Sequence, residues 1–438
     1  MKPNIKRFGF VLLAVALLAM PGIVYAQVPG PGGPYNSGFT VQNLTGTQAS
    51  CTIQLYDSNG NVDYTNSSVS VPGNGSYFLY VGGLSIDSDQ YSAVISCNQE
   101  VAAVANHTSS VGTAASYEGM NSSQAAEVLY APGFYNNYYG YYSNLVVQNA
   151  GSSSVSVKVE LFAPGSASAA SSVTKSITNP GQAVNFNYNE FTLSGSIYSA
   201  KITATGGHVA AVANVWNANG ERYSYTPFSS GATTAYAPVL MNYYYGFYTA
   251  LTVQNLGSSS TDVRVTYSNG TVSTKTVAAN SSQLWYTPNE IPTNGWLGSA
   301  KVESLGGQPI VVLVNERGTT DGRAASYTGF PSGSKTVNAP IVLKSYYGYS
   351  TSITCQNVGS NAASINVSYS NGATDSKPNV AVNGTALFYQ PNLATLPNNF
   401  NGSAIITSAE DIVCVVNENQ VSNPAAQDWL LTYGGIGQ

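Results

Sequence analysis

Charge is what this 438-residue chain most conspicuously lacks. Asp, Glu, Lys and Arg make up 8% of it, against 11% aromatics, with 32 Tyr and 43 Gly. Disordered chains are charged and poor in aromatics, so this composition describes ordered cores whose wet faces are built from Ser, Thr, Asn and Gly. The formal net charge of −5 argues against nucleic acid or anionic lipid as a partner. Histidine is almost missing: His107 and His208 are the only two. No Ser-His-Asp set can therefore recur, and no G-x-S-x-G elbow is present. Sites of catalysis need positioned titratable groups, and a chain so bare of them is expected to be no enzyme and to hold no cofactor. Helical periodicity is absent as well. After the first residues no apolar run is long enough to span a bilayer, so no membrane span is expected.

One stretch imitates a metal loop. Asp57-Ser58-Asn59-Gly60-Asn61-Val62-Asp63 places oxygen ligands at alternate positions, but its Gly falls early and the closing Glu is missing. The equivalent loops Tyr267-Ser268-Asn269-Gly270 and Tyr369-Ser370-Asn371-Gly372 carry no acid. A plain hairpin turn is the expectation, with no metal.

What is present first is an address. Lys2, Lys6 and Arg7 precede an apolar run from Phe8 through Ala19, then Pro21-Gly22 and the small-residue pattern Val24-Tyr25-Ala26. A cleaved signal peptide over residues 1–26 is predicted, and with it export to the cell surface or the extracellular space. The four cysteines fit an oxidising compartment. Cys51 and Cys97 fall early, Cys355 and Cys414 late, so pairing within each end of the chain is the economical reading. A loop the size of the later one would contribute roughly 4 kcal/mol when closed.

The dominant feature is a repeat. Tyr130-Ala131-Pro132 leads to Tyr138-Tyr139-Gly140-Tyr141-Tyr142 and Gln148-Asn149. Tyr236-Ala237-Pro238 leads to Tyr243-Tyr244-Tyr245-Gly246-Phe247-Tyr248 and Gln254-Asn255. Ala339-Pro340 leads to Tyr346-Tyr347-Gly348-Tyr349 and Gln356-Asn357, and a headless copy survives at Gln42-Asn43. A period of roughly one hundred residues means an array of similar modules. Each also carries a Ser-Ala strand start (Ser92, Ser199, Ser299, Ser403) and then its most apolar run. Val101–Ala105, Val209–Ala213, Ile310–Val314 and Ile412–Val416 end at Asn106, Asn214, Asn315 and Asn417. Such runs read as central strands covered on both faces. Ser-Tyr pairs follow at Ser116, Ser224 and Ser326. Asn59-Gly60, Asn269-Gly270 and Asn371-Gly372 read as hairpin turns in which both residues take positive φ.

Short strands at this spacing define an all-β chain. In strand order and spacing it resembles the tandem immunoglobulin-like repeats of exported bacterial surface proteins. The resemblance implies four β-sandwich modules after the signal peptide, over 27–128, 129–234, 235–336 and 337–438, arranged in a row with separate cores. It also implies that Cys355 and Cys414 form an inter-sheet bridge, and that the protein acts in adhesion, spacing or scaffolding. The tyrosines 138, 139, 141, 142, 243, 244, 245, 248, 346, 347 and 349 are the candidate functional surface. They either pack modules together or expose flat rings to a ligand. The expected function is a non-catalytic surface or matrix protein acting as spacer, adhesin or structural element, its partner a cell-surface polysaccharide or protein. The alternative is a carbohydrate-binding array. The Gln-Asn pairs are expected to make local bonds to backbone. The first module lacks a lead-in strand and the last lacks a covering neighbour, so head-to-tail self-assembly through complementary ends is a further expectation.

Overall fold

The computed structural model describes residues 22–25, 35–109, 112–319, 322–420 and 429–437. It is all-β, and each turn of the sequence period lays down the same two antiparallel four-stranded arrays, separate sheets in the first and third repeats and joined into one eight-stranded sheet in the second and fourth. In the third repeat one sheet runs in the order Thr234–Asn242, Trp296–Ser304, Thr261–Tyr267, Val272–Val277. The other runs Ser282–Tyr286, Phe247–Asn255, Ile310–Gly318, Ala324–Thr328. The apolar runs are central strands as predicted, and every residue of Val209–Asn217 is buried. Neighbouring half-buried strands alternate, as Thr261–Tyr267 does.

The lead-in strand joins the two sheets. In the third repeat Ala237 pairs with Ala300 and Leu240 with Gly298, so Pro238 and Val239 together oppose Ser299. The same bulge falls at Pro132-Gly133 and at Pro340-Ile341. Proline cannot donate to a ladder and is confined to such irregularities. The residue after it would leave its own N–H and C=O unpaired, and a buried tyrosine takes both. Tyr225 Oη accepts from Gly133 N–H at 3.2 Å and donates to Gly133 O at 2.7 Å. Tyr327 does this at Val239, at 3.1 and 2.7 Å, and Tyr433 at Ile341, at 3.1 and 2.7 Å. These are the tyrosines of the Ser-Tyr strands and of their last counterpart.

Several expectations are corrected. The disulfides Cys51–Cys97 and Cys355–Cys414 form within each end of the chain, the latter over 59 residues. Neither joins two sheets, however. Cys51 lies directly opposite Cys97, and Cys355 opposite Cys414, on adjacent strands of one sheet. Their Cα atoms are 4.1 and 4.0 Å apart, and the closely spaced antiparallel register brings cysteines within bonding reach without a second sheet. The Asn-Gly turns are not two-residue turns with positive φ at both positions. Only Gly60, Gly270 and Gly372 have it. In the third repeat Gly270 N–H donates to Tyr267 O at 2.9 Å, and Tyr267 N–H to Thr271 O at 2.9 Å. That is a three-residue loop closed by a glycine bulge.

The repeats do not stand in a row. The strands Ala114–Glu118, Arg222–Tyr225, Ala324–Thr328 and Leu430–Gly434 lie against one another in a closed circuit. Ser326 Oγ donates to Ser224 O at 3.0 Å. Ser116 Oγ donates to Thr432 O at 2.8 Å and accepts from Thr432 N–H at 2.9 Å, which joins the last repeat to the first. The last repeat and the first therefore meet within one chain. Nor are the cores separate. Buried apolar side chains run continuously through the first, second and fourth repeats and include Leu313 of the third.

The first repeat was expected to lack a lead-in strand. Its place is taken by Gly22–Tyr25, paired antiparallel with Ser92–Cys97. These residues belong to the predicted leader, the rest of which lies outside the described residues. An edge of unpaired N–H and C=O groups accepts whatever extended chain is at hand.

Replacing Tyr327 with Phe keeps the ring and strands two backbone groups at Val239. We expect a loss of about 1–3 kcal/mol in urea unfolding, against under about 0.5 kcal/mol for Tyr347→Phe at an exposed tip. Equal midpoints for the two variants would remove the corner from the account of stability.

Candidate functional site at the repeat junctions

Each repeated motif has a definite task at a junction. The Asn of every Gln-Asn pair is a local staple, as expected. Asn255 Nδ2 donates to Ser259 O at 2.7 Å and Val277 O at 3.0 Å, while its Oδ1 accepts from Gly257 N–H. Asn43, Asn149 and Asn357 repeat the pattern. The Gln was expected to do the same. Gln148 Nε2 does so, to Gly181 O at 2.8 Å, and Gln254 Nε2 donates to Asn280 O at 3.0 Å. But Gln254 Nε2 also reaches Ala200 O of the preceding repeat at 3.2 Å, and Gln356 Nε2 reaches Ala300 O at 3.3 Å. Alternation along the strand sends adjacent side chains to opposite faces, so one of the pair must look outward. The serines that begin the Ser-Ala strands answer from the other side. Ser199 Oγ donates to Asn280 O at 2.9 Å, Ser299 Oγ to Asn383 O at 2.8 Å, and Ser92 Oγ to Gly181 O.

The tyrosine clusters sit on the hairpin tips that end the lead-in strands. Tyr139-Gly140, Tyr245-Gly246 and Tyr347-Gly348 are the turns in which both residues have positive φ, the tyrosines at 50°, 47° and 48°. In the last, Tyr346 and Tyr349 exchange backbone hydrogen bonds of 2.9 Å. Each tip carries an edge-on ring pair, Tyr138–Tyr139, Tyr244–Tyr245 and Tyr346–Tyr347, with centroids 4.7–4.8 Å apart. Packing and exposure are divided within one cluster. Tyr141 and Tyr349 are buried, whereas Tyr139 and Tyr245 are 82% and 85% exposed and Tyr347 48%. Tyr142 packs on Tyr188 of its own repeat, and Tyr243 leans on Tyr248.

Two tips overhang open clefts. Between the second and third repeats lies one of about 480 Å³, walled by Tyr138 and Tyr139 on one side and Tyr248, Tyr286 and Asn289 on the other. Between the third and fourth is one of about 580 Å³, walled by Tyr244 and Tyr245 against Tyr389 and Asn392. At the closure from fourth to first repeat, a slot of about 20 Å³ lies beside Tyr346 and Tyr349. The far walls were missed in the sequence. Their signal is present at constant phase as Trp285-Tyr286-Thr287-Pro288-Asn289 and Phe388-Tyr389-Gln390-Pro391-Asn392.

The floors hold the buried titratable groups. In the first cleft Arg317 Nη2 pairs with Glu221 Oε1 at 3.0 Å, and Tyr141 Oη donates to the same carboxylate. Asn315 Nδ2 donates to Tyr135 Oη at 3.1 Å. Glu316 lines both clefts and accepts from Asn417 Nδ2 at 2.6 Å. Burial holds its pKa up at about 8 despite that bond, and Glu418, at the equivalent position, is likewise held at about 8. The residue matching them in the first repeat is His107. It bonds Ser37 Oγ at 2.8 Å, stacks on Tyr117, and is driven down to about 3 by burial with Arg222 nearby. His208 is exposed in its turn, away from it. The Asp57 carboxylate accepts from Asn59 and Asn61 N–H at 2.9 and 2.7 Å, as a turn residue does. Among the described residues no group of three His, Cys, Asp or Glu is placed to hold a metal. No described helix is long and apolar enough to cross a membrane.

The class defined so far is an all-β protein of repeated antiparallel sheets with two disulfides. No family model matches the chain, and no curated protein matches it. Among solved structures, Thermotoga maritima 1070 is 18% identical, with 23% of this chain and 94% of that one covered at a TM-score of 0.20. An adhesin from Mobiluncus mulieris with intramolecular disulfide, isopeptide and ester cross-links is 7% identical. It covers 71% of this chain and 99% of its own at a TM-score of 0.10. An Escherichia coli alpha-2-macroglobulin is 10% identical, over 96% and 44%, also at 0.10. Likenesses at these TM-scores carry no argument.

The buried acids set a pH dependence. Between the ordinary glutamate value and about 8, Glu316 and Glu418 stay protonated in the fold and ionise in the unfolded chain. The folded state then binds more protons, so stability falls as pH rises across that window and levels above it. His107 acts at the other end. It is neutral in the fold where the unfolded ring is charged, so stability also falls as pH drops from the ordinary histidine value through about 3. Thermal midpoints are expected to peak in mild acid, and Glu316→Gln with Glu418→Gln should flatten the alkaline limb. An unchanged limb in that double variant would show that these carboxyls do not titrate there.

Proposed function

We propose that the chain is a non-catalytic protein of the cell surface or extracellular space that works by attachment, as an adhesin. In this reading it is exported by the leader over residues 1–26 and divides into four immunoglobulin-like sandwiches near 128, 234 and 336. The observation that carries the reading is the repeated presentation of exposed tyrosines on hairpin tips above open clefts. Two cross-strand disulfides suit an oxidising compartment. Closure of the repeats favours attachment over spacing, because a ring adds no reach as repeats accumulate. The scarcity of titratable groups, and the burial of those at the junctions, support a role without catalysis.

The labelled full-length chain should bind saturably to the surface of the producing cells or their matrix, in competition with unlabelled protein, and should release no product from the material bound. Absence of saturable attachment, or turnover of the bound polymer, would end this reading.

A further inference from the structure

We propose that the two open clefts are equivalent saccharide subsites, and that one linear polysaccharide of neutral sugars occupies both. The inference rests on the attachment reading and names its ligand.

The two clefts share one construction. A ring pair on the hairpin tip of one repeat faces a tyrosine and an asparagine of the next: Tyr138 and Tyr139 against Tyr286 and Asn289, then Tyr244 and Tyr245 against Tyr389 and Asn392. Volumes of about 480 and 580 Å³ lie in the usual range for small-ligand sites. Tyrosine offers a flat apolar face with a polar rim, which matches a pyranose ring that is apolar on its faces and hydroxylated at its edge. At the floor of the first cleft, Asn315 Oδ1, Glu316 Oε1 and Arg317 Nε are buried without a protein partner. Glu316 is almost fully enclosed. Buried polar atoms are nearly always satisfied, and this set offers both acceptors and a donor to sugar hydroxyls.

Electrostatics favours neutral sugars. Arg317 of the first cleft is already paired with Glu221, and Arg323 of the second donates to Asn419 Oδ1 at 2.8 Å and lies over the Phe247 ring, so both cations are engaged within the protein. The far walls run from the ends of the edge strands Ser282–Tyr286 and Thr385–Tyr389 into a short turn of helix, Thr287–Glu290, or a 3-10 turn, Gln390–Asn392.

The backbone supplies an independent argument. A bulky residue at positive φ is strained by about 1–2 kcal/mol, and glycine or asparagine is at home there. The chain nonetheless places a tyrosine at this point of three turns, with φ of 47–50°. The rings of Tyr139 and Tyr245 are almost wholly exposed and contribute little to any core. Strain held at an exposed position points to function. The third tip holds Tyr347 in the same turn, but only half exposed, with its neighbour Tyr346 at a slot of about 20 Å³; it serves as an internal control for the turn itself. Two like sites on one rigid ring favour a repeating ligand, since engaging the second site becomes intramolecular.

The test is calorimetric titration of the full-length chain with neutral glucan, mannan and N-acetylglucosamine series, as disaccharides and as long oligosaccharides. Disaccharides should bind two per chain, and a long oligosaccharide one per chain and at least about tenfold more tightly. Tyr139→Asn and Tyr245→Asn should each abolish one disaccharide site and the long-chain gain, together abolish binding, and leave the melting temperature equal or higher. Tyr347→Asn should change nothing. The proposal is overturned by no binding across the panel, by binding that survives the double variant, or by loss on Tyr347→Asn alone. It is overturned equally if a proline-rich peptide binds the clefts in place of every saccharide. If wild type and double variant attach to cells alike while no saccharide binds, attachment stands and the saccharide assignment falls. If wild type does not attach at all, the attachment reading itself falls.

Discussion

The whole arrangement hangs on a buried tyrosine hydroxyl that holds one kinked strand. Pro132, Pro238 and Pro340 break the ladder of one sheet, and the hydroxyls of Tyr225, Tyr327 and Tyr433 take both backbone groups of the residue that follows. Without that partner the strand would carry two unpaired polar groups into a dry interior, a cost a marginally stable fold bears poorly. With it, the strand crosses to the second sheet and delivers its hairpin tip to the next repeat. The corner thereby sets where the exposed tyrosines stand. The same short strands that supply the corner tyrosine place Ser116, Ser224, Ser326 and Thr432 at the axis of the ring.

Polar side chains, rather than long apolar faces, give the junctions their register. Gln254 and Gln356 reach back to carbonyls of the preceding repeat, and Ser199 and Ser299 reach forward. Such bonds are directional and fix one rotation between neighbours. Repeated, that rotation closes the ring. An open array would unfold as a sum of repeats and interfaces. Here every repeat has two neighbours, and the buried clusters run through the junctions. Loss of any one repeat therefore exposes two interfaces. The enclosed carboxyls of Glu316 and Glu418 belong to the same design: protonated, each is an uncharged group that accepts from an asparagine one repeat further on.

Much of the fold was legible in the residues. Continuous apolar runs such as Val209–Ala213 are central strands, alternating ones such as Thr261–Tyr267 are half-buried, and the period marks the recurrence of the sheets. These depend on neighbours in sequence, where the side-chain period of two is written directly. Pairing of cysteines within each end was legible for a similar reason, since each pair lies within one turn of the period.

Other features depended on how strands meet. Cys355 and Cys414 face each other across one sheet rather than two, because register along a ladder is set by the packing of whole faces. Tyrosine-glycine tips adopt the two-residue turn that Asn-Gly was expected to form, because the bulge and the corner before them fix the approach of the strands. The clefts require Tyr286 and Tyr389 to stand opposite tips written about 145 residues earlier in the chain. The sequence by itself determined strand identity, the recurrence and the residues that repeat. Ring closure, the division of each tyrosine cluster into packed and exposed rings, and the two open clefts were decided only by tertiary structure. They follow from the rotation between neighbouring repeats, a quantity set by hydrogen bonds across a junction that no local pattern encodes.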